Sequence, residues 1–345
     1  MADSGGHWLN LAEVQKLSQS ELMAGVVDIA PKRNPLWATL PMRQVKGTST
    51  KWNRSNARRA VQRTEVGGQL TWVDNVSYTP IEVTLAQFYD QTPLNKFVRD
   101  VYDNVNNYEA QQLLELRTGV VEGLNDALVY DDIDYDTTHM RGMHHWAVDN
   151  TATDGDIDEG EGALSLLNVR TVLDYMLHGT DYMAMSFALA RYIDQYYQEG
   201  GGQFGDTNVA RATMGRIVWA PNDQGIPIPF WAGHPIIRTD YLVSEQANTG
   251  AGSDARAKNT SGDAQDSILF AKAGSGSMQM VEPGAVILFG GESRGEGEIF
   301  TKTYFPNLED FDAAGLRLTA YGTLAVGAPR AMCRIYDIEL GLPTN

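Results

Sequence analysis

The sequence predicts an α+β protein organised around one long helix, and three observations carry that reading. A helical stripe of apolar residues runs through Asp103–Asp132, a strand-like excursion alternates through residues 45–90, and short apolar strands interleave with amphipathic helices in the second half.

In the long helix, Val105, Tyr108, Leu113, Leu116, Val120, Leu124 and Leu128 recur mostly every three or four residues, the spacing of one helical face. Asn106, Glu109, Gln112, Glu115, Glu122 and Asp126 occupy the other face, and no proline interrupts the run. At about 1.5 Å per residue the helix reaches roughly 45 Å. That is longer than a compact domain needs, so it predicts a spine on which other elements or other subunits are laid.

The totals are those of a globular chain: 345 residues, 43% apolar and 21% charged, a length that predicts two or three domains. Met1–Asn10 carries no apolar run of signal-peptide length, and the most apolar segment, Tyr182–Tyr192, is too short to span a membrane and contains Arg191. A soluble cytoplasmic product is expected. The single cysteine, Cys333, excludes an internal disulfide and a cysteine-cluster metal site. A net charge of −17 argues against binding nucleic acid through a general basic surface. The charge is unevenly distributed, because residues 1–63 hold 10 Lys and Arg against 4 Asp and Glu. The beginning of the chain therefore reads as a basic arm on an acidic body, fit to dock on the acidic surface of a neighbouring copy.

Along the chain, Leu9–Ala24 gives a short helix signal, and Pro31, Pro35 and Pro41 punctuate an extended arm. Val45–Arg54 and Val76–Leu85 then predict two strands of a hairpin, with Ile81, Val83 and Leu85 alternating against Glu82 and Thr84. Between them, Ser55–Gly68 holds Arg58, Arg59 and Arg63 and almost nothing apolar, so the excursion cannot be stable alone and must lie on something. The same chain offers little apolar surface to receive it. Thr92-Pro93 reads as a helix start, leading through a short helix to Asp100 and then into the spine. Asp131–Gly162 reads as a loop-rich acidic region.

The α/β module that follows is predicted from helices at Leu164–His178 and Phe187–Glu199, the latter ended by Gly200-Gly201-Gly202. Its strands are expected at Tyr182–Ser186, Gly215–Trp219, Pro235–Thr239, Ser267–Ala271 and Ala285–Gly290, with Ser244–Asp266 as a core-less loop. Leu316–Val326 and Ala331–Leu340 close the chain around a Gly327-Ala328-Pro329 turn.

No catalytic constellation emerges. There is no GxSxG, no Walker loop and no GxGxxG with a placed acid, and Gly274-Ser275-Gly276 and Gly290–Gly297 join strands without opening a helix. Asp154, Asp156 and Asp158 alternate as in a calcium loop, but Glu159 stands where glycine is needed and Ser165 where the closing glutamate belongs. His139, His144 and His145 lack a second ligand pair and read as ordinary loop residues beside Trp146. No metal, no cofactor and no enzymatic activity are expected.

The order of parts resembles the major capsid proteins of tailed double-stranded DNA bacteriophages with the Hong Kong 97-type capsid fold. Met140-Arg141-Gly142-Met143 after Tyr130-Asp131 is similar to the family's turn after its spine helix. Gly233-His234-Pro235-Ile236-Ile237-Arg238-Thr239-Asp240 resembles a recurring strand, and Tyr321–Val326 through Pro329-Arg330-Ala331 and Arg334-Ile335 resembles the closing strands. Lys51-Trp52-Asn53-Arg54 is similar to an aromatic-Asn-Arg strand of one branch. The resemblance implies an arm at 1–44, an extended hairpin (E-loop) at 45–90, a peripheral domain at 91–163 and 316–345 with its spine near 103–132, and an α/β axial domain at 164–315.

By the same resemblance, copies self-assemble through pentamers and hexamers into an icosahedral shell enclosing double-stranded DNA, in a virion capsid assembled in the host cytoplasm. Scaffold, portal and cement proteins are the implied further partners, with no membrane and no sequence-specific DNA binding. No extra segment resembling a fused scaffold precedes the arm, which implies a separate scaffold or a mature form. Some relatives form a lysine–asparagine cross-link; Lys46 and Lys51 lie in the hairpin, but no partner asparagine is matched. Candidate intersubunit contacts are Lys51, Trp52, Arg54, Arg58, Arg59, Arg63 and Trp72 on the hairpin, meeting Glu109, Glu115, Glu122 and Asp126 on a neighbour's spine. An encapsulin-type cargo compartment is the alternative of the same fold. An acidic α/β enzyme or a calcium-binding module using Asp154–Glu161 is the alternative of another class.

Overall fold

The computed structural model describes residues 32–55, 61–69, 77–97, 108–151, 153–203, 218–221, 227–231, 233–246, 258–259, 264–275, 283–290, 299–308 and 312–344. After a 3-10 turn at Leu36–Thr39 come strands β1 (Met42–Val45), β2 (Ser49–Ser55), β3 (Tyr78–Thr84) and β4 (Ala86–Asn95), then the spine helix α1 (Tyr108–Tyr130). Helix α2 (Met143–Ala147) leads to β5 (Asp156–Ser165), α3 (Leu166–Tyr175), β6 (Tyr182–Met185) and α4 (Phe187–Gln203). Strands β7 (Val218–Pro221), β8 (Pro227–Trp231), β9 (His234–Arg238), β10 (Glu245–Gln246), β11 (Ala264–Ala271) and β12 (Ala285–Gly290) follow. Strands β13 (Phe300–Phe305), β14 (Ala313–Val326) and β15 (Met332–Thr344) complete the chain.

The predicted spine ends within two residues of expectation, and residues 103–107 lie outside the described residues. Its stripe does what the spacing requires: Leu116, Val120, Leu124 and Leu128 are buried, and Leu113 is half-buried. The helix packs on β4 and β14 of a five-stranded sheet ordered β1-β12-β14-β13, with β4 also on β14. Leu94 and Leu316 from those strands meet Leu116. A second sheet, ordered β5-β15-β11-β6-β9-β8-β7, carries its own core, in which Val169 and Val172 of α3 and Leu189 and Ile193 of α4 pack with Met183, Met185, Ile268, Phe270 and Ile335. The β2–β3 hairpin forms a separate two-stranded sheet in the predicted alternation. Among the described residues, no helix is long and apolar enough to cross a membrane.

Four expectations are corrected. Thr92-Pro93 does not start a helix but continues β4, with Pro93 opposite Gly315; because, among the described residues, β4 pairs only with β14, an edge position tolerates the missing N–H. The acidic region from Asp131 is not mainly loop, since it contains α2 and the ten-residue strand β5, which lies parallel to β15 at a sheet edge. Helix α4 runs through Gly200–Gly202 to Gln203 instead of stopping before them. His144 and His145 are not ordinary loop residues, for both are buried on α2.

Residues 32–40 clamp onto the body of the same chain. Leu36, Trp37 and Leu40 are buried, and the Trp37 backbone N–H donates to Asn125 Oδ1 of the spine at 2.8 Å. Arg33 pairs with Asp240 at 3.0 Å, and Asn34 donates to the Arg238 carbonyl at 2.6 Å, so one short segment bridges α1 and the end of β9. The predicted Leu9–Ala24 helix lies outside the described residues.

The turn after the spine closes through Gly142, whose N–H donates to the Asp131 carbonyl at 2.9 Å. A Cβ there would sit 2.8 Å from Asp131 O and 2.9 Å from Val129 O, both backbone atoms of the spine's end. Gly142→Ala is therefore expected to destabilise the fold by about 1–3 kcal/mol, the usual cost of an overpacked site, read as a lower denaturation midpoint with an unchanged denaturant slope.

Candidate assembly surfaces

The hairpin is built from two unlike halves. At its base, strand alternation sends Trp52 and Arg54 toward the body and Lys51 outward. Trp52 is buried and stacks on Trp146 of α2, with ring centroids 6.5 Å apart and planes 25° from parallel. Arg54 donates to the Gly327 carbonyl at 3.3 Å and to Asp149 at 3.1 Å, while Arg141 also reaches Asp149 at 3.4 Å and lies 4.1 Å over the Trp146 ring. Val83 on the facing strand is buried in the same core. The chain thus does supply an apolar seat for its own hairpin, contrary to the expectation of little receiving surface.

Lys51 pairs with the directly opposite Glu82 at 2.8 Å. That hydrogen bond, with a second from Ser49, holds the Glu82 carboxyl below its ordinary range despite some desolvation. Both groups are well exposed, so the pair fixes register more than stability.

Beyond the base the character changes. The residues of 61–69 are exposed throughout, with Val61 at 90% and Val66 at 108% relative exposure. Arg63 is exposed on this tip; Arg58, Arg59 and Trp72 lie outside the described residues.

On the spine, the four acidic candidates are not equivalent. Glu109 pairs with Lys302 of β13 at 3.5 Å, Asp126 pairs with Lys258, and Glu122 accepts the Lys32 backbone N–H at 3.4 Å. Glu115 is exposed, accepts only from its helical neighbours Gln111 and Gln112, and has no ion pair among the described residues. Most of the acidic face is thus already engaged within the chain, by partners too distant in sequence for spacing to reveal.

Of the alternating aspartates, Asp156 and Asp158 lie in strand β5. Asp156 is paired with Arg334 at 2.6 Å, with both side chains almost fully enclosed, and Asp158 accepts the Gly160 N–H at 2.8 Å. Among the described residues, His and carboxylate atoms converge at Asp132, Asp134 and His145, where His145 Nδ1 lies 2.8 Å from Asp132 Oδ1. That contact orients a buried histidine against a loop carboxylate, an arrangement sequence spacing missed because the partners belong to a loop and a helix joined only by the Gly142 turn.

A spine helix across one sheet, a projecting hairpin beside it, and a second α/β sheet with its own core constitute the Hong Kong 97-type capsid fold. The chain is similar to the encapsulin of the holo-SrpI complex from Synechococcus elongatus (15% identity, TM-score 0.62), covering 98% of this chain and 99% of that one. It is likewise similar to the capsid of the native GTA particle (15% identity, TM-score 0.58, 97% of each chain). A third likeness is to the capsid of the cyanophage P-SCSP1u (11% identity, TM-score 0.54, 96% of this chain and 94% of that one). At such identities the likeness is one of fold. No protein-family model matches the sequence, and no curated protein matches it.

Removing the seat should separate the halves of the hairpin experimentally. Trp52→Ala is expected to cost about 3 kcal/mol, the scale of a large-to-small change at a buried aromatic. It should also accelerate proteolytic cleavage within 49–84, and cleavage at the wild-type rate would show that Trp52 is not the anchor.

Proposed function

We propose that the chain is a structural, non-enzymatic shell subunit that self-assembles through pentamers and hexamers into an icosahedral capsid enclosing double-stranded DNA. The observation that carries this reading is the hairpin: its base is seated by Trp52 and Val83, while its 61–69 tip projects with Val61 and Val66 almost wholly exposed. A two-stranded ribbon is at best marginal without a supporting surface, and a second copy supplies one at every position of a closed shell. Each exposed charge pair contributes only about 0–1 kcal/mol, so apolar tip contacts and repetition around the shell must do most of the stabilising.

In this reading the arm (1–44), hairpin (45–90), peripheral domain (91–163 and 316–345) and axial domain (164–315) are the working divisions. Arg58, Arg59 and Arg63 of one copy meet the neighbour's spine, with Glu115 the acid that has no ion pair among the described residues and Glu109, Glu122 and Asp126 available only if their present contacts are shared. The net charge of −17 keeps the wall from trapping a packaged polyanion. Scaffold, portal and cement proteins are the further partners, and the virion, assembled in the host cytoplasm, is the location.

A cargo compartment is the second reading, favoured by the full-length likeness to the Synechococcus encapsulin at TM-score 0.62. Native particles distinguish the two: nuclease-protected double-stranded DNA supports the capsid, and a co-purifying protein without DNA supports the compartment.

Shell formation itself is tested by electron microscopy with light scattering. The expected result is closed shells or rings of five and six, and a chain that stays monomeric in salt and divalent ions with a scaffold supplied would overturn the proposal. Arg58→Glu, Arg59→Glu and Arg63→Glu together should abolish assembly while leaving the circular dichroism spectrum unchanged. Normal shells from that triple variant would refute hairpin docking.

A further inference from the structure

The segment that joins the spine to α2 sets two carboxylates against a buried histidine. Asp132 and Asp134 follow the end of α1, and His145 lies on α2, which the Gly142 turn folds back beside them. Asp132 Oδ1 accepts the Asp134 backbone N–H at 2.9 Å and lies 2.8 Å from His145 Nδ1. An ionised carboxylate only accepts, so Nδ1 supplies the proton of that second bond. The neutral ring is then left with its lone pair on Nε2.

That second nitrogen is the informative one. The His145 side chain is 5% exposed, yet Nε2 makes no hydrogen bond among the described residues and faces Asp134 Oδ2 at 3.7 Å, too far for one. A lone pair aimed at a carboxylate oxygen is repulsive, and a cation between them removes the repulsion. Neither Asp132 nor Asp134 has a Lys or Arg partner among the described residues, because the nearby Arg141 is paired with Asp149 and Lys258 with Asp126. Asp132, Asp134 and His145 each bring a ligand atom within 4.8 Å of the others. An ion about 2.1 Å from both Nε2 and Oδ2, the usual zinc distances to imidazole and carboxylate, would subtend about 125° between them. A tetrahedral angle needs the two atoms only about 0.3 Å closer, a movement open to the Asp134 side chain, which is 70% exposed.

We propose that His145 and Asp134 form a divalent transition-metal site, with zinc as the fitting class of ion. Asp132 is the carboxylate that orients the ring from its far side, the usual companion of a metal-binding histidine, and water from the exposed side completes the shell. A ring nitrogen beside a carboxylate selects zinc over calcium or magnesium, which take shells of oxygen. A bound ion would staple the segment after the spine to α2, and α2 carries the Trp146 ring on which Trp52 of the hairpin stacks. The site does not depend on the shell reading, since every group in it belongs to one chain.

The test titrates the full chain, stripped with a chelator, with zinc chloride in excess magnesium, which occupies the general acidic surface. Asp134→Asn is expected to bind zinc at least about tenfold more weakly than the wild type. Its circular dichroism spectrum should be unchanged, because the replaced side chain is largely exposed. In nitrogen NMR of the histidine rings, zinc should shift His145 Nε2 and leave the proton on Nδ1. Equal zinc affinity in the wild type and the variant would overturn the proposal. So would a His145 ring that keeps protons on both nitrogens throughout the titration, since the cation facing Asp134 would then be a proton. Zinc that shifts other histidines but not His145 would overturn it equally.

Discussion

The burial of one row on the spine helix is the constraint on which the other parts depend. Leu116, Val120, Leu124 and Leu128 each leave water against the five-stranded sheet, and at about 1.5–3 kcal/mol per enclosed aliphatic side chain this row outweighs every ion pair on the helix surface. With the row seated, the remaining positions of the helix act as fixed attachment points. Asn125 receives the arm through Trp37, and Tyr130 enters the junction with Glu245. The Gly142 turn swings α2 back so that Trp146 meets Trp52. Arm, hairpin and second core are thereby each tied to a different turn of one rigid rod.

The hairpin shows how far such a rod can reach. Trp52 and Val83 fasten its base with apolar contacts, and Arg54 and Arg141 converge on Asp149 beside them. None of that extends to residues 61–69, where Val61 and Val66 stand in solvent among Gln62, Arg63, Thr64 and Glu65. The base sets the direction of the ribbon, and only a second surface can stabilise its end. In the proposed shell, fixing the aim of a projection without satisfying its tip suits a repeating subunit.

What the sequence disclosed follows the range of the interactions involved. The spine stripe, the alternation of the hairpin and the apolar strands β6, β12 and β14 are local patterns, and the structure places them close to their predicted spans. Elements defined by distant partners were illegible. Strand β5 reads as an acidic loop because it is half-covered at a sheet edge, and its Asp156 is explained only by Arg334. Strand β4 was hidden by a Thr-Pro pair that signals a helix start in isolation but fits an edge strand beside β14. The acids of the spine looked uniformly available, although Lys302 and Lys258 already meet two of them. Glu245 sits in a small-residue, charged stretch with no apolar pattern, so its complete burial had no local signal at all.

The same comparison bears on how an acidic chain would leave selective contacts for its own copies in the proposed shell. Engaging Glu109, Glu122 and Asp126 internally lowers the attraction of the spine for any passing cation, while Glu115 remains exposed. A weak, sparse electrostatic surface cannot hold a partner by itself, since exposed pairs are worth at most about 1 kcal/mol and are screened at physiological ionic strength. Under the proposed docking it would reject misaligned encounters and leave affinity to apolar contacts formed only when tip and spine are in register. In the proposed shell that division has a use, because contacts that are individually weak can be broken and remade until a lattice closes, whereas strong early contacts would trap the first errors.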